Sequence, residues 1–158
     1  MSCCVLVDGS IGSLGNSLEE DGVQNVTVKT VVFNATDNGL RIKTWARDSN
    51  GFVKDVVFED VIMKNVKNPI IIDQNYCPGR TGCPKQTSGI KISNVKYMNV
   101  RGSSATPVAV KLDCSASKPC TDMGLHDINL KYQNRPAKAY CKNARGTSSG
   151  IAIPSGCF

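Results

Sequence analysis

Arg41 and Lys43, in the run Leu40, Arg41, Ile42, Lys43, are the residues best suited to chemistry in this sequence. Successive side chains of an extended strand point to opposite faces, so Leu40 and Ile42 turn one way and Arg41 and Lys43 the other. A guanidinium is a planar fork of donors that can grip a carboxylate at two points, whereas an ammonium is a compact point charge. The pair suits capture of an anion rather than bond breaking. Tyr76, two residues past Gln74 and beside Cys77, and Trp45, just after the cations, offer aromatic faces for a ligand or for packing under a loop. Metal chemistry has little support: the single histidine, His126, lies in a strand-like HDINL, and the cysteines lack the two-to-four-residue spacing of zinc ligands. No metal or cofactor is expected.

Cysteine spacing points to staples. Cys77 and Cys83 bracket YCPGRTGC, and Cys114 and Cys120 bracket DCSASKPC, each just after a strand-like run. Both pairs are expected to close locally, and Cys141 with Cys157 to close a C-terminal loop over residues 141–158. Adjacent Cys3 and Cys4 are kept from bonding to each other by strain. Eight cysteines allow 105 connectivities, so locality is the whole basis of this pairing. Such a count fits an oxidising compartment, and Asn25 and Asn34 each open an N-glycosylation tripeptide. The opening MSCCVLVD lacks the basic and apolar regions of a signal peptide.

The elements that must position these residues are short strands. VTVKTVVF, LRIKTW, VVFEDVIM, PIIID, GIKISNVKYM, PVAVKL and HDINLKY are β-branched and mostly alternating, with Asn, Asp, Gly and Pro between them. The strands repeat. Val26, Val28, Val31 and Phe33 match Val56, Phe58, Val61 and Met63 at an offset of 30, then Ile90, Ile92, Val95 and Tyr97 at a further 34. Leu40 and Ile42 match Ile70 and Ile72, then Val108 and Val110 at an offset of 38, and Ile128 with Leu130 opens a fourth unit 38 beyond Ile90 and Ile92. Inserted loops at residues 77–86 and 102–106 account for the growing offset, and each unit reads strand, bend, strand, turn, strand. Stacked units of this kind bury their apolar positions against their neighbours, which makes a parallel β-helix. A β-sandwich or up-and-down barrel would need hairpins, yet Asn38-Gly39 and Asn50-Gly51 sit in longer connections.

The chain is therefore expected to be all-β and a single domain over residues 1–158, a solenoid of about three and a half coils whose N-terminal part is missing. An open end of that kind invites aggregation, though a monomer is expected. No apolar run approaches the roughly 20 residues of a membrane-spanning helix. A net charge of +6 fits attraction of an acidic ligand and equally fits nothing more than a well-solvated surface. With 6% aromatics and no basic run interleaved with stacking rings, nucleic-acid binding is not expected.

SIGSLG at residues 10–15, DNGLRIKTW at 37–45, NPIIIDQNYC at 68–77 and ATPVAVKLDCS at 105–115 together resemble the C-terminal half of plant polygalacturonases, especially the pollen-type exopolygalacturonases. The resemblance implies a right-handed parallel β-helix and inverting hydrolysis of α-1,4-galacturonan in the cell wall, with polygalacturonate or oligogalacturonate as ligand. It also implies that Arg41, Ile42 and Lys43 form the family's substrate-binding Arg-Ile-Lys motif and that Tyr76 is its substrate-contacting tyrosine. The family's Asn-Thr-Asp, Asp-Asp and Gly-His-Gly motifs have no counterpart here: aligned backwards from SIGSLG, Val7 and Asp8 fall where the histidine and the following glycine belong.

Inversion needs one carboxylic acid for the leaving oxygen and carboxylate help for a water on the other face. Asp55, Glu59 and Asp60 share a strand region in which Lys29 aligns with Glu59 as a surface pair, and Asp8 stands alone. No catalytic residue is therefore assigned and the chain is expected to be inactive, with a non-catalytic pectin-binding or structural protein as the alternative. By the repeat, Lys43 aligns with Asp73 and Lys111 in a charge ladder, while Arg41 aligns with Ile71 and Ala109 and is left for a uronate carboxylate.

Overall fold

Alternating Val and Ile runs become strands because branched side chains pack well on a pleated, half-buried surface. The structure, a computed structural model, describes residues 9–158. Its strands are β1 (Gly9–Leu14), β2 (Val23–Asn34), β3 (Asn38–Trp45), β4 (Phe52–Val66), β5 (Asn68–Tyr76), β6 (Lys91–Ser104), β7 (Val108–Asp113), β8 (Cys120–Tyr132), β9 (Arg135–Pro136), β10 (Lys138–Lys142) and β11 (Ala144–Ile153). They form two sheets, β1-β3-β5-β7-β10 and β11-β8-β6-β4-β2, and only β9 runs antiparallel to its neighbour, β8. Each turn of the chain lays one strand on each sheet, the arrangement of a parallel β-helix.

The long strands of the second sheet are bent at fixed intervals. Asn25, Asp55, Asn94 and Asp122 all have φ between 51° and 58°, and so do Thr30, Asp60, Asn99 and Asp127 five residues later. Among side-chain-bearing residues, Asn and Asp enter this left-handed region at least cost. The bends stack from coil to coil, and Asn94 Nδ2 donates to Asp55 Oδ1 at 2.8 Å as Asn99 Nδ2 does to Asp60 Oδ1 at 2.8 Å. These carboxylates shape the coil, and Glu59 pairs with Lys29 at 3.2 Å.

Between the bends, inward side chains stack in columns. Val56, Val95 and Met123 form one, Phe58, Tyr97 and Leu125 the next, and Val61, Val100 and Ile128 a third. From the other sheet come Leu40, Ile70 and Val110, and Ile42, Ile72 and Leu112. Nearly all are 0–1% exposed, and burying each such side chain fully contributes about 1.5–3 kcal/mol. Phe58 and Tyr97 stack with ring centroids 5.1 Å apart.

Register agrees with the repeat through the second coil and departs from it afterwards. Val56 pairs with Val95, 39 residues on, rather than with Ile90; Ile70 pairs with Val110 rather than Val108; and Ile128 lies opposite Val100. One connection, residues 77–90 with a 3-10 turn at Pro78–Arg80, holds the insertion. Residues 102–104 are not a loop but the end of β6. The bends explain the slip: a coil reads apolar, polar, apolar, polar, bend, and repeats, so a shift of five residues matches the apolar pattern equally well.

Candidate functional site

The outer face of the β1-β3-β5-β7-β10 sheet carries the cations. Parity along β3 places Leu40 and Ile42 in the core and leaves Arg41 and Lys43 half-buried on the outside. Tyr76, at the end of β5, pairs in register with Trp45 and meets its ring edge-on, centroids 5.1 Å apart. The Arg41 guanidinium lies 5.4 Å and the Lys43 ammonium 5.0 Å from the Tyr76 ring centroid. Arg41, Lys43 and Tyr76 thus form one cluster, in which two cations share the face potential of one aromatic. Among the described residues, neither cation has an ion-pair partner, and the buried Nε of Arg41 has no hydrogen-bond acceptor.

A buried polar network anchors β5 two residues before Tyr76. Gln74, 1% exposed, donates from Nε2 to the Ile90 carbonyl at 2.9 Å and accepts from the Ser115 amide at 2.8 Å. The Thr44 and Ser88 hydroxyls bond at 2.8 Å alongside it. One side chain therefore ties β5 to both the start of β6 and the turn after β7, the segments that flank the Tyr76 loop. Cys77 and Cys83 are bonded across that loop with Cα atoms 5.5 Å apart. Cys114 is bonded to Cys120 and Cys141 to Cys157.

A groove of about 550 Å³ opens beside the cluster, with Arg41, Asp73, Asn75, Tyr76, Arg80 and Lys111 in its wall. Here the charge ladder is corrected. Asp73 lies opposite Lys43 on one side and Asp113, not Lys111, on the other, whereas Lys111 sits in the Arg41 column across Ile71. The reason is a slip of two residues along VAVKL, which preserves the inward and outward parity and changes only the partner. Asn75 joins the two acids: its amide donates to Asp73 Oδ1 at 2.9 Å and its side chain to Asp113 Oδ2 at 3.3 Å. Sequence reasoning missed Asn75, Asp113 and Lys111 as groove residues, and a correct register of β7 would have found the last two.

The remaining candidates stand apart from this face. Asn25 and Asn34 are exposed on β2. His126 Nδ1 bonds the Ser149 hydroxyl at 2.6 Å, and no group of three or more His, Cys, Asp or Glu able to hold a metal is present among the described residues. Cys3, Cys4, Val7 and Asp8 lie outside the described residues.

Residues 7–152 match the profile of the glycosyl hydrolases family 28. The chain belongs to that family. A polygalacturonase of Prunus persica is 54% identical over 149 residues, 94% of this chain and 38% of the relative. An exopolygalacturonase of Platanus acerifolia is 43% identical over 148 residues, covering 92% and 39%. A polygalacturonase of Gossypium hirsutum is 41% identical over 149 residues, covering 94% and 37%. This family 28 chain therefore spans well under half the length of the relatives it matches, and the outer face bearing Arg41, Lys43 and Tyr76 lies wholly inside the matched segment.

Proposed function

We propose that this chain binds galacturonan on the outer face of the β1-β3-β5-β7-β10 sheet, as the substrate-binding portion of a polygalacturonase of the cell wall or extracellular space. The observation that carries the reading is the cluster itself: two cations with no anionic partner among the described residues, seated on one aromatic ring beside a groove. A uronate carboxylate suits both cations as a partner, and the Tyr76 ring offers a flat face to the sugar. Arg41 makes the bidentate contact and Lys43 adds a second charge. The three disulfides fit an oxidising, extracellular setting.

Hydrolysis by residues 9–158 alone is not part of this proposal. Inversion needs two carboxyl groups about 6.5–9.5 Å apart, with room for a water between them and a proton on one. The acids nearest the cluster, Asp73 and Asp113, are opposite each other on adjacent strands, and Asn75 donates to both. These bonds give both acids a part in ordering the end of β5 against β7.

Calorimetric titration of the chain with oligogalacturonate, together with a reducing-sugar assay, tests both parts. Salt-sensitive binding that weakens about tenfold in Arg41→Ala, equivalent to about 1.4 kcal/mol, with no sugar release, is expected. Binding indifferent to salt and to Arg41→Ala sinks the ligand assignment, and hydrolysis by the purified chain overturns the inactivity.

A further inference from the structure

We propose a second uronate subsite on the same face, built from Lys111 and Tyr140 and taking the continuation of a bound galacturonan chain; it rests on the binding role assigned above to Arg41. The constellation is a second instance of a cation over a tyrosine. The Lys111 ammonium lies 5.9 Å from the Tyr140 ring centroid, and Tyr140 on β10 pairs in register with Lys111 on β7. Tyr140 is 45% exposed, a large aromatic surface left open to solvent. Among the described residues, Lys111 has no ion-pair partner.

Geometry joins the two places. Lys111 stands in the Arg41 column, two strands along, so the two backbone positions are about 10 Å apart at the usual strand spacing. Ile71 lies between them with 8% of its surface exposed, an apolar floor between two cations. A groove of about 480 Å³ flanked by Asn68, Thr106, Pro107 and Tyr140 adjoins the groove beside Tyr76, with Lys111 and Asp113 in the wall of both. The acids on this face, Asp73 and Asp113, lie one column over, with Lys142 opposite Asp113 and Asn75 donating to both. A polyanion with a carboxylate on every sugar finds Arg41 and Lys111 along one track and meets like charge at Asp73 and Asp113 on the other. A neutral glycan would have no use for the Arg41 and Lys111 track, which is why the occupant is a polyuronate.

The test compares hexagalacturonate with galacturonic acid monomer, titrated into the parent chain and into Lys111→Ala, Tyr140→Ala, Arg41→Ala and Lys131→Ala. Lys131 is exposed on β8, on the other sheet, and its removal changes net charge by the same amount. Lys111→Ala and Tyr140→Ala are expected to weaken the hexamer about fivefold or more while changing the monomer less than about twofold, with Lys111→Arg restoring most of the hexamer affinity. Arg41→Ala weakens both ligands, and Lys131→Ala neither. If Lys111→Ala and Lys131→Ala affect the hexamer equally while Arg41→Ala still weakens it, the second subsite is wrong and the binding role of Arg41 stands. If Arg41→Ala changes neither ligand, the underlying assignment falls and the subsite with it. Circular dichroism on each variant separates lost binding from lost fold.

Discussion

Tyr97→Phe should stabilise this chain, and more so in alkali. Tyr97 fills the core between Phe58 and Leu125, is fully buried, and among the described residues its hydroxyl has no hydrogen-bond partner. A buried hydroxyl stripped of water without a compensating bond costs about 1–3 kcal/mol. Phenylalanine keeps the ring and its stack on Phe58 at 5.1 Å while removing only the oxygen. A gain of about 2 kcal/mol at neutral pH follows, or about 6 °C in melting temperature for a chain of this length. Burial also pushes the Tyr97 hydroxyl well above its ordinary value of 10.0. The folded state then holds a proton that the unfolded chain releases, so this contribution is intact below the unfolded value and is lost as pH rises beyond it. Between pH 9 and pH 11 the parent should lose about 1.4 kcal/mol that the variant keeps. Urea unfolding of both proteins at pH 7, 9, 10 and 11 measures the two effects together. A variant less stable than the parent at pH 7, or a difference between the two that stays constant from pH 9 to pH 11, would refute the reasoning.

Gln74→Met keeps the volume but orphans the Ile90 carbonyl and the Ser115 amide; a loss of about 3 kcal/mol is expected in urea unfolding, with weaker oligogalacturonate binding because the end of β5, which carries Tyr76, loses its ties to the neighbouring segments. Gly102→Ala meets two obstacles, a φ of 129° and a new Cβ landing on the Met63 carbonyl oxygen, and should lower stability by about 3 kcal/mol in the same assay. Replacing Cys77 and Cys83 by Ser opens a short loop, with about 2 kcal/mol lost on thermal unfolding. That variant should also bind oligogalacturonate more weakly, since the loop begins at the residue after Tyr76.

The first two coils could be read from sequence because nothing interrupts their spacing: Val26 to Val56 and Leu40 to Ile70 are both 30 residues, and both are true register partners. Reading failed at the third coil for a reason internal to the architecture. A left-handed Asn or Asp every five residues resets the alternation, so Ile90, Ile92, Val95 and Tyr97 carry the same pattern as Val95, Tyr97, Val100 and Gly102 save for the final glycine. The asparagines were the missing signal, since Asn94 and Asn99 must lie over Asp55 and Asp60 for their amides to reach the carboxylates. Arg41 and Lys43 were legible as outward cations from parity alone. Their convergence on Tyr76 was not, because it depends on the Trp45 edge contact and on Gln74 reaching across three segments.

The two-residue slip in β7 changes the electrostatic character of the face. Had Lys111 stood opposite Asp73, it would have been drawn into a ladder with Lys43 and Asp73, leaving Arg41 as an isolated cation beside Ile71 and Ala109. With Asp113 in that place, the acids are gathered on one track and bonded by Asn75, and Lys111 joins the Arg41 track instead. A polyanion lying along the stack then meets positive charge at two points separated by two strands, and crossing onto the neighbouring track brings it against like charge at Asp73 and Asp113. Such an arrangement selects the ligand's direction as well as its charge. Asp113→Asn probes this without touching either cation: removing one like charge should raise affinity for hexagalacturonate modestly, by about twofold to fivefold at low salt. A fall in affinity would instead make Asp113 a direct partner of the sugar hydroxyls.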